Sequence, residues 1–180
     1  TASTRNRAKG KSMKISIGND HSGITQKDVI TEYLKQFFPH TILTNHGTNS
    51  TDPIDYPDVA HKVAQDVNDG TSNLGILLCG TANGVAITAN RYPNVRAAIA
   101  YNTEVAQLIK EHNNANVICF PARFLTPNQI TSGLHAFLTA TFQPRHQQRI
   151  NKINDLQQPK TVDGLILMPG VSCFLSDTKL

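Results

Sequence analysis

Three groups of residues in this chain have the types and spacings that chemistry needs. The first lies in ILLCGTANGVAI, residues 76–87, where an apolar run ends on Cys79 and passes into Gly80, Thr81, Ala82, Asn83 and Gly84. Gly80 and Gly84 permit backbone geometries that aim successive N–H groups at one point, and a helix starting there adds positive potential. The turn therefore suits a negatively charged oxygen. The same potential favours the thiolate of Cys79, the form in which cysteine acts as a base. A buried structural thiol fits the same residues, so this stretch alone leaves both readings open. The turn lacks the Lys-Ser/Thr ending of a nucleotide P-loop and the spacing of a dinucleotide fingerprint, which disfavours nucleotide binding.

The second group is Asp20 and His21 in GNDHSG, residues 18–23, at the end of a short apolar run. An Asp-His pair there reads equally as a functional pair or as a turn and helix cap. The third is Arg145 and Arg149, four residues apart in QPRHQQRINKI. On a helix they share a face, a geometry able to bracket a phosphate dianion. A solvated arginine face has the same spacing.

Composition bounds the setting for these groups. With 180 residues, 39% hydrophobic and 17% charged, the chain is long enough for one domain with a sizeable core. No apolar run approaches the roughly 20 residues of a membrane-spanning helix, and no secretory leader is recognisable. The three cysteines, Cys79, Cys119 and Cys173, are widely spaced, which argues against a disulfide framework or a CxxC metal site and for a reducing, cytoplasmic setting. Cys119, inside VICF, reads as core. His40, His46, His61, His135 and His146 form no metal-ligand spacing, so no metal is expected; His146 is kept as a neighbour of a bound phosphate. The formal charge is +4, and Arg5, Arg7, Lys9 and Lys11 match that excess, so the basic balance belongs to a tail. No aromatic platform accompanies them, which weighs against nucleic acid as a partner.

The elements that must position the three groups follow from periodicity. Residues 1–12 are polar and basic and read as an extension. From Met13 onward, apolar runs at 13–18, 41–45, 74–79, 95–101 and 115–120 alternate with helical stretches near 23–38, 57–68, 83–91, 103–112 and 127–140. A further helix is expected at 143–153, with Pro144 near its start. Five strand-then-helix repeats predict a three-layer α/β/α, Rossmann-like domain around a five-stranded parallel sheet. The run at 74–79 is apolar at nearly every position, as a strand covered on both faces must be. The domain is bounded at 13–156; residues 157–180, with the short apolar patch LILM, read as a tail without an assigned role. In such a sheet ligands gather at the carboxyl ends of the strands, where GNDHSG, GTNSTDPIDYP, CGTANG and FPAR are expected.

Taken together, GNDHSG, DYP, LLCGTANG, EHNNANV and RHQQR, in that order and at these separations, resemble the ribose-5-phosphate isomerase type B family, which includes galactose- and allose-6-phosphate isomerases. The resemblance covers about residues 13–153. It implies an aldose–ketose isomerase working through an enediolate with no metal or organic cofactor, and ribose 5-phosphate as the substrate, with a six-carbon sugar phosphate as the alternative. It assigns Cys79 as the proton-abstracting base and the backbone from Gly80 through Ala82 and Asn83 to Gly84 as the enediolate's donors, with Thr81 beside them. It gives His112 ring opening, Asn113, Asp20, His21 and Tyr56 the sugar, and Arg123, Arg145 and Arg149 the phosphate. It further implies that the terminal helix reaches a neighbouring subunit's active site, in a homodimer or homotetramer.

Three positions depart from the family pattern. Ala82 stands where a glycine is usual, which costs on the order of 1 kcal/mol if φ is positive there. Val85 occupies the place of the glutamate base used by a second branch, leaving Cys79 as the base supplied. Gln143 and Pro144 replace two glycines ahead of the arginine helix. These departures carry the competing expectation of an impaired sugar-phosphate binder or partner subunit.

Overall fold

The computed structural model describes residues 12–153 and 155 in full and the backbone of 160–162 and 165–167. Most of the basic extension and most of the tail expected from the sequence lie outside the described residues. The chain divides into two units between His146 and Gln147.

The first unit is built on strands β1 (Lys14–Asn19), β2 (Ile42–Asn45), β3 (Leu74–Cys79), β4 (Ala97–Ile99) and β5 (Val117–Pro121). They form one sheet in the order β2-β1-β3-β5-β4, with every pairing parallel. The connections carry α1 (Ile24–Phe37), α2 (Tyr56–Asn68), α3 (Asn83–Ala89), α4 (Thr103–Glu111) and α5 (Pro127–Thr139). The three-layer arrangement expected from the sequence is the one observed. Alternation along the strands divides the core. Ile15, Ile17, Ile76, Leu78, Ile118 and Phe120 face α1, α4 and α5, while Leu77, Cys79, Val117 and Cys119 face α2 and α3.

Local sequence explains the helix starts. Asn102 accepts from Val105 N ahead of α4, and Thr126 and Gln129 form a reciprocal capping box ahead of α5 with Pro127 at its first position. Two boundaries differ from expectation. The first helical stretch begins as a 3-10 turn, His21–Gly23, and β4 has three residues where seven were read as apolar.

A polar knot ties β1 and β2 to the end of α2. Asp66 Oδ2 accepts from Ser16 Oγ at 2.5 Å and pairs with His46 Nε2 at 2.7 Å, and Ser16 Oγ lies 2.8 Å from Ser72 Oγ. Burial opposes the Asp66 charge, but the bonds from Ser16 and His46 outweigh it and hold the carboxyl below its usual range.

The expected terminal helix starts with a 3-10 turn and continues directly as an α-helix. A 3-10 turn, Pro144–His146, closes the first unit, and α6, Gln147–Ile153, opens the second. The segment to which no strand was assigned holds an antiparallel pair, β6 (Lys160–Val162) with β7 (Leu165–Leu167). The sequence signal for it is Asp163-Gly164 between the two runs, a dipeptide typical of two-residue hairpins.

Candidate active site

The strand order decides where the crevice falls. From β1 the chain moves outward to β2 and then crosses to β3 on the other side of β1, so the connections diverge at the carboxyl ends of β1 and β3. That is the topological switch point at which open α/β sheets bind ligands. β1 ends on Asn19 and β3 on Cys79, and the register Asn19↔Leu78 sets Asp20 abreast of Cys79. Asp20 N donates to Leu78 O at 3.1 Å, which fastens the two strand ends together.

Cys79 is a free thiol, 4% exposed, on the face that packs against α2 and α3. Cys119 lies on the same face of β5, two positions short of the residue that pairs with Cys79. Burial, and then the neighbouring Cys79, push the Cys119 thiol far above its usual range, so it stays protonated as core. Of the two thiols, the one at the strand end borders the crevice.

The turn after Cys79 is closely built. Ala82 is fully buried in the left-handed region at φ 64°, the positive φ that the replacement of glycine made an issue. Thr81 is exposed and its Oγ1 accepts from Asn83 N at 3.4 Å. Arg123 folds over the start of the turn. Arg123 N donates to Gly80 O at 3.2 Å, and a Cβ added to Gly80 would meet the Arg123 Nε at 3.3 Å. Tyr56, at the start of α2, covers the other end: a Cβ on Gly84 would overlap its ring and come within 2.9 Å of its Oη. Gly80 and Gly84 are thus places where side chains from other elements lie directly on the backbone.

On the β1 side, Asp20 is 7% exposed and its Oδ1 accepts from Ser22 N at 2.9 Å and Ser22 Oγ at 2.5 Å. It caps the 3-10 turn and borders the crevice at once, so the two readings of the pair are not exclusive. His21 Nδ1 is shut off from solvent and has no hydrogen-bond partner among the described residues.

Asp20, His21, Tyr56, Cys79, the turn Gly80–Gly84 and Arg123 therefore gather at the carboxyl edge of the sheet. His112 and Asn113 do not. α4 returns antiparallel to the strands, so its C-cap, His112, stands at the opposite edge. The chain there enters β5 through Asn116, whose N donates to Arg96 O just ahead of β4. The length of α4 separates the two edges by about 14 Å. Arg145 and His146 join this second group. Gln143 N donates to Glu111 O at 2.8 Å, and the His146 ring lies 4.4 Å from that of His112. Arg149 lies in α6, in the second unit.

Two residues of the carboxyl edge were not singled out in the sequence. Asn19 is fully buried behind Asp20, and Lys27 on α1 is 2% exposed. Nothing in local sequence marks either, because a lysine on a helix is ordinarily solvated.

Comparison with known proteins supplies the family. A sequence model described as Ribose/Galactose Isomerase matches residues 15–153. A probable ribose-5-phosphate isomerase B of Mycoplasma genitalium is 42% identical over 147 residues, spanning 79% of this chain and 94% of that protein. A D-erythrulose-4-phosphate isomerase of Pectobacterium atrosepticum is 38% identical over 131 residues, spanning 73% of this chain and 86% of that protein. The crystal structure of ribose-5-phosphate isomerase B from Mycoplasma genitalium with bound ribulose-5-phosphate superposes with a TM-score of 0.75 at 40% identity, over 80% of this chain and 95% of that one. The switch-point crevice, the Cys79 turn and these matches converge: the chain belongs to the ribose/galactose isomerase family.

Proposed function

We propose that this sugar-phosphate aldose–ketose isomerase interconverts ribose 5-phosphate and ribulose 5-phosphate with Cys79 as the base. The observation that carries the reading is the placement of Cys79 beside Asp20 at the switch point, flanked by the Gly80–Gly84 turn and Arg123. A relative of the same fold with ribulose-5-phosphate bound adds support for the substrate.

In this mechanism the Cys79 thiolate removes the C2 proton of the open-chain aldose. Electrons move to the carbonyl oxygen at C1, forming an enediolate; a proton passes from the C2 hydroxyl to the C1 oxygen, and the proton held by Cys79 is returned to C1, which leaves the carbonyl at C2 of the ketose. Backbone N–H groups of Gly80 to Gly84 stabilise the developing oxyanion, and Thr81 bonds a substrate hydroxyl. Asp20, His21 and Tyr56 hold the sugar, and Arg123 faces the phosphate.

A second copy of the chain completes the site with His112 for ring opening, Asn113 for a hydroxyl, and Arg145 and Arg149 for the phosphate. What supports sharing is the distance between Cys79 and His112: one chain carries them at opposite edges of its sheet, and a symmetric dimer can bring one edge to the other. No helix of the described residues is long and apolar enough to cross a membrane.

The test is isomerisation of ribose 5-phosphate by the purified chain beside Cys79→Ser, with allose 6-phosphate and D-erythrulose 4-phosphate as longer and shorter substrates. A fall in kcat of about 10²- to 10⁴-fold in the variant supports the base assignment, and retained activity removes it. Mixing Cys79→Ser with His112→Asn tests sharing. Reassorted dimers should recover about a quarter of parental activity, since one site in four then holds both native groups. No recovery argues for sites complete within one chain.

A further inference from the structure

Lys27 sits in the first turns of α1, yet it is 2% exposed. Its ammonium takes no part in either ion pair of the described residues. Nζ donates instead to neutral oxygens of the loop between β2 and α2: Thr48 O at 2.9 Å, and Asn49 Oδ1. A buried cation without a counter-charge opposes folding, so its acceptors must be held in place.

The Thr48 carbonyl is shared. It accepts at the same time from Asn19 Nδ2 at 3.1 Å, and that amide also donates to Asp20 O at 2.8 Å. A carbonyl has two lone pairs, and here both are used. The loop is pressed onto Asn19: a Cβ at Gly47 would overlap Asn19 Oδ1 and lie 2.9 Å from Asn19 N. One continuous chain of bonds thus runs from Lys27 through Thr48 and Asn19 to the backbone of Asp20. Seven residues beyond Asn49 the same loop delivers Tyr56, whose ring covers Gly84.

We propose that Lys27 is a positioning residue, which clamps the 46–55 loop to the end of β1 and so sets both Asp20 and Tyr56 around the substrate. It touches neither the reacting carbons nor the cradle. A long, flexible stem with a donor-rich head suits this, because it reaches two acceptors on a loop that packs against another element. The proposal rests on the isomerase reading for its kinetic consequence, and on geometry alone for its effect on the loop.

The experiment measures hydrogen exchange and steady-state kinetics on full-length Lys27→Met, which keeps the stem and removes the donors. Exchange in peptides covering 46–55 is expected to rise about tenfold, with peptides from β3 and β5 unchanged. KM for ribose 5-phosphate is expected to rise about tenfold with kcat within threefold, the pattern of lost binding rather than lost chemistry. Unchanged loop exchange, a rise spread evenly over the chain, or a loosened loop with parental KM each overturn the proposal. Should Lys27→Met fail to fold, Asn49→Ala removes one acceptor from an exposed position and must loosen the same peptides; if it does not, the clamp is refuted. Absence of turnover in the parent chain overturns the isomerase reading, while loop exchange still decides the clamp.

Discussion

Gly84→Ala adds one methyl group to the first turn of α3, directly under the ring of Tyr56. The new Cβ would overlap Tyr56 Cε2 and Cζ and stand 2.9 Å from Oη, whereas carbon contacts settle at about 3.5 Å, so the ring must retreat by about 1 Å. Tyr56 is 40% exposed, and its ring can swing toward solvent without disturbing the core. Losing that contact costs less than about 1 kcal/mol, and replacing a helical glycine by alanine gains about 0.5 to 1 kcal/mol. The two nearly cancel, so Tm is expected within about 4 °C of the parent. Catalysis should respond differently. A misplacement of about 1 Å in a substrate-positioning group lowers kcat/KM by as much as about 100-fold. The assay is kcat/KM for ribose 5-phosphate together with a thermal melt, repeated in a Tyr56→Ala background. If the ring is the target of the methyl group, Gly84→Ala adds almost nothing there. Parental kcat/KM in the single variant would refute the placement of Tyr56 on the substrate. A full effect persisting without the ring would assign the loss to the turn backbone.

Three further outcomes follow from the geometry. Ala82→Gly relieves a positive φ worth about 1 kcal/mol but loses a buried methyl of about 0.8 kcal/mol and gains unfolded-state freedom of about 0.4 to 1 kcal/mol; denaturant melts should show it no more stable than the parent. Asp66→Asn should destabilise at neutral pH, because the native Asp66 carboxyl titrates below its usual range. That contribution is present above the unfolded value of about 3.9 and fades as pH falls through the native pKa, so the two proteins should converge in stability in acid; a gap that stays constant down to pH 2 would remove the His46–Asp66 and Ser16–Asp66 bonds as its cause. Arg123→Met removes the guanidinium that lies over Gly80 and should raise KM for ribose 5-phosphate at least tenfold, with a smaller loss against the unphosphorylated sugar; equal losses for both would detach Arg123 from the phosphate.

Much of this protein was legible in the sequence because the determining interactions are local. Apolar runs at 74–79 and 115–120 mark strands covered on both faces, and Asn102, Thr126 and Pro127 mark helix starts, each within a window of a few residues. The same apolar periodicity put Asp20, Cys79 and the Gly80–Gly84 turn at strand ends. What only the tertiary structure decided is the order β2-β1-β3-β5-β4, which turns the ends of β1 and β3 into a crevice. The burial of Lys27 belongs to the same class. Such features depend on which elements pack together across long stretches of chain, and a lysine reads the same in sequence whether its helix face meets water or a loop.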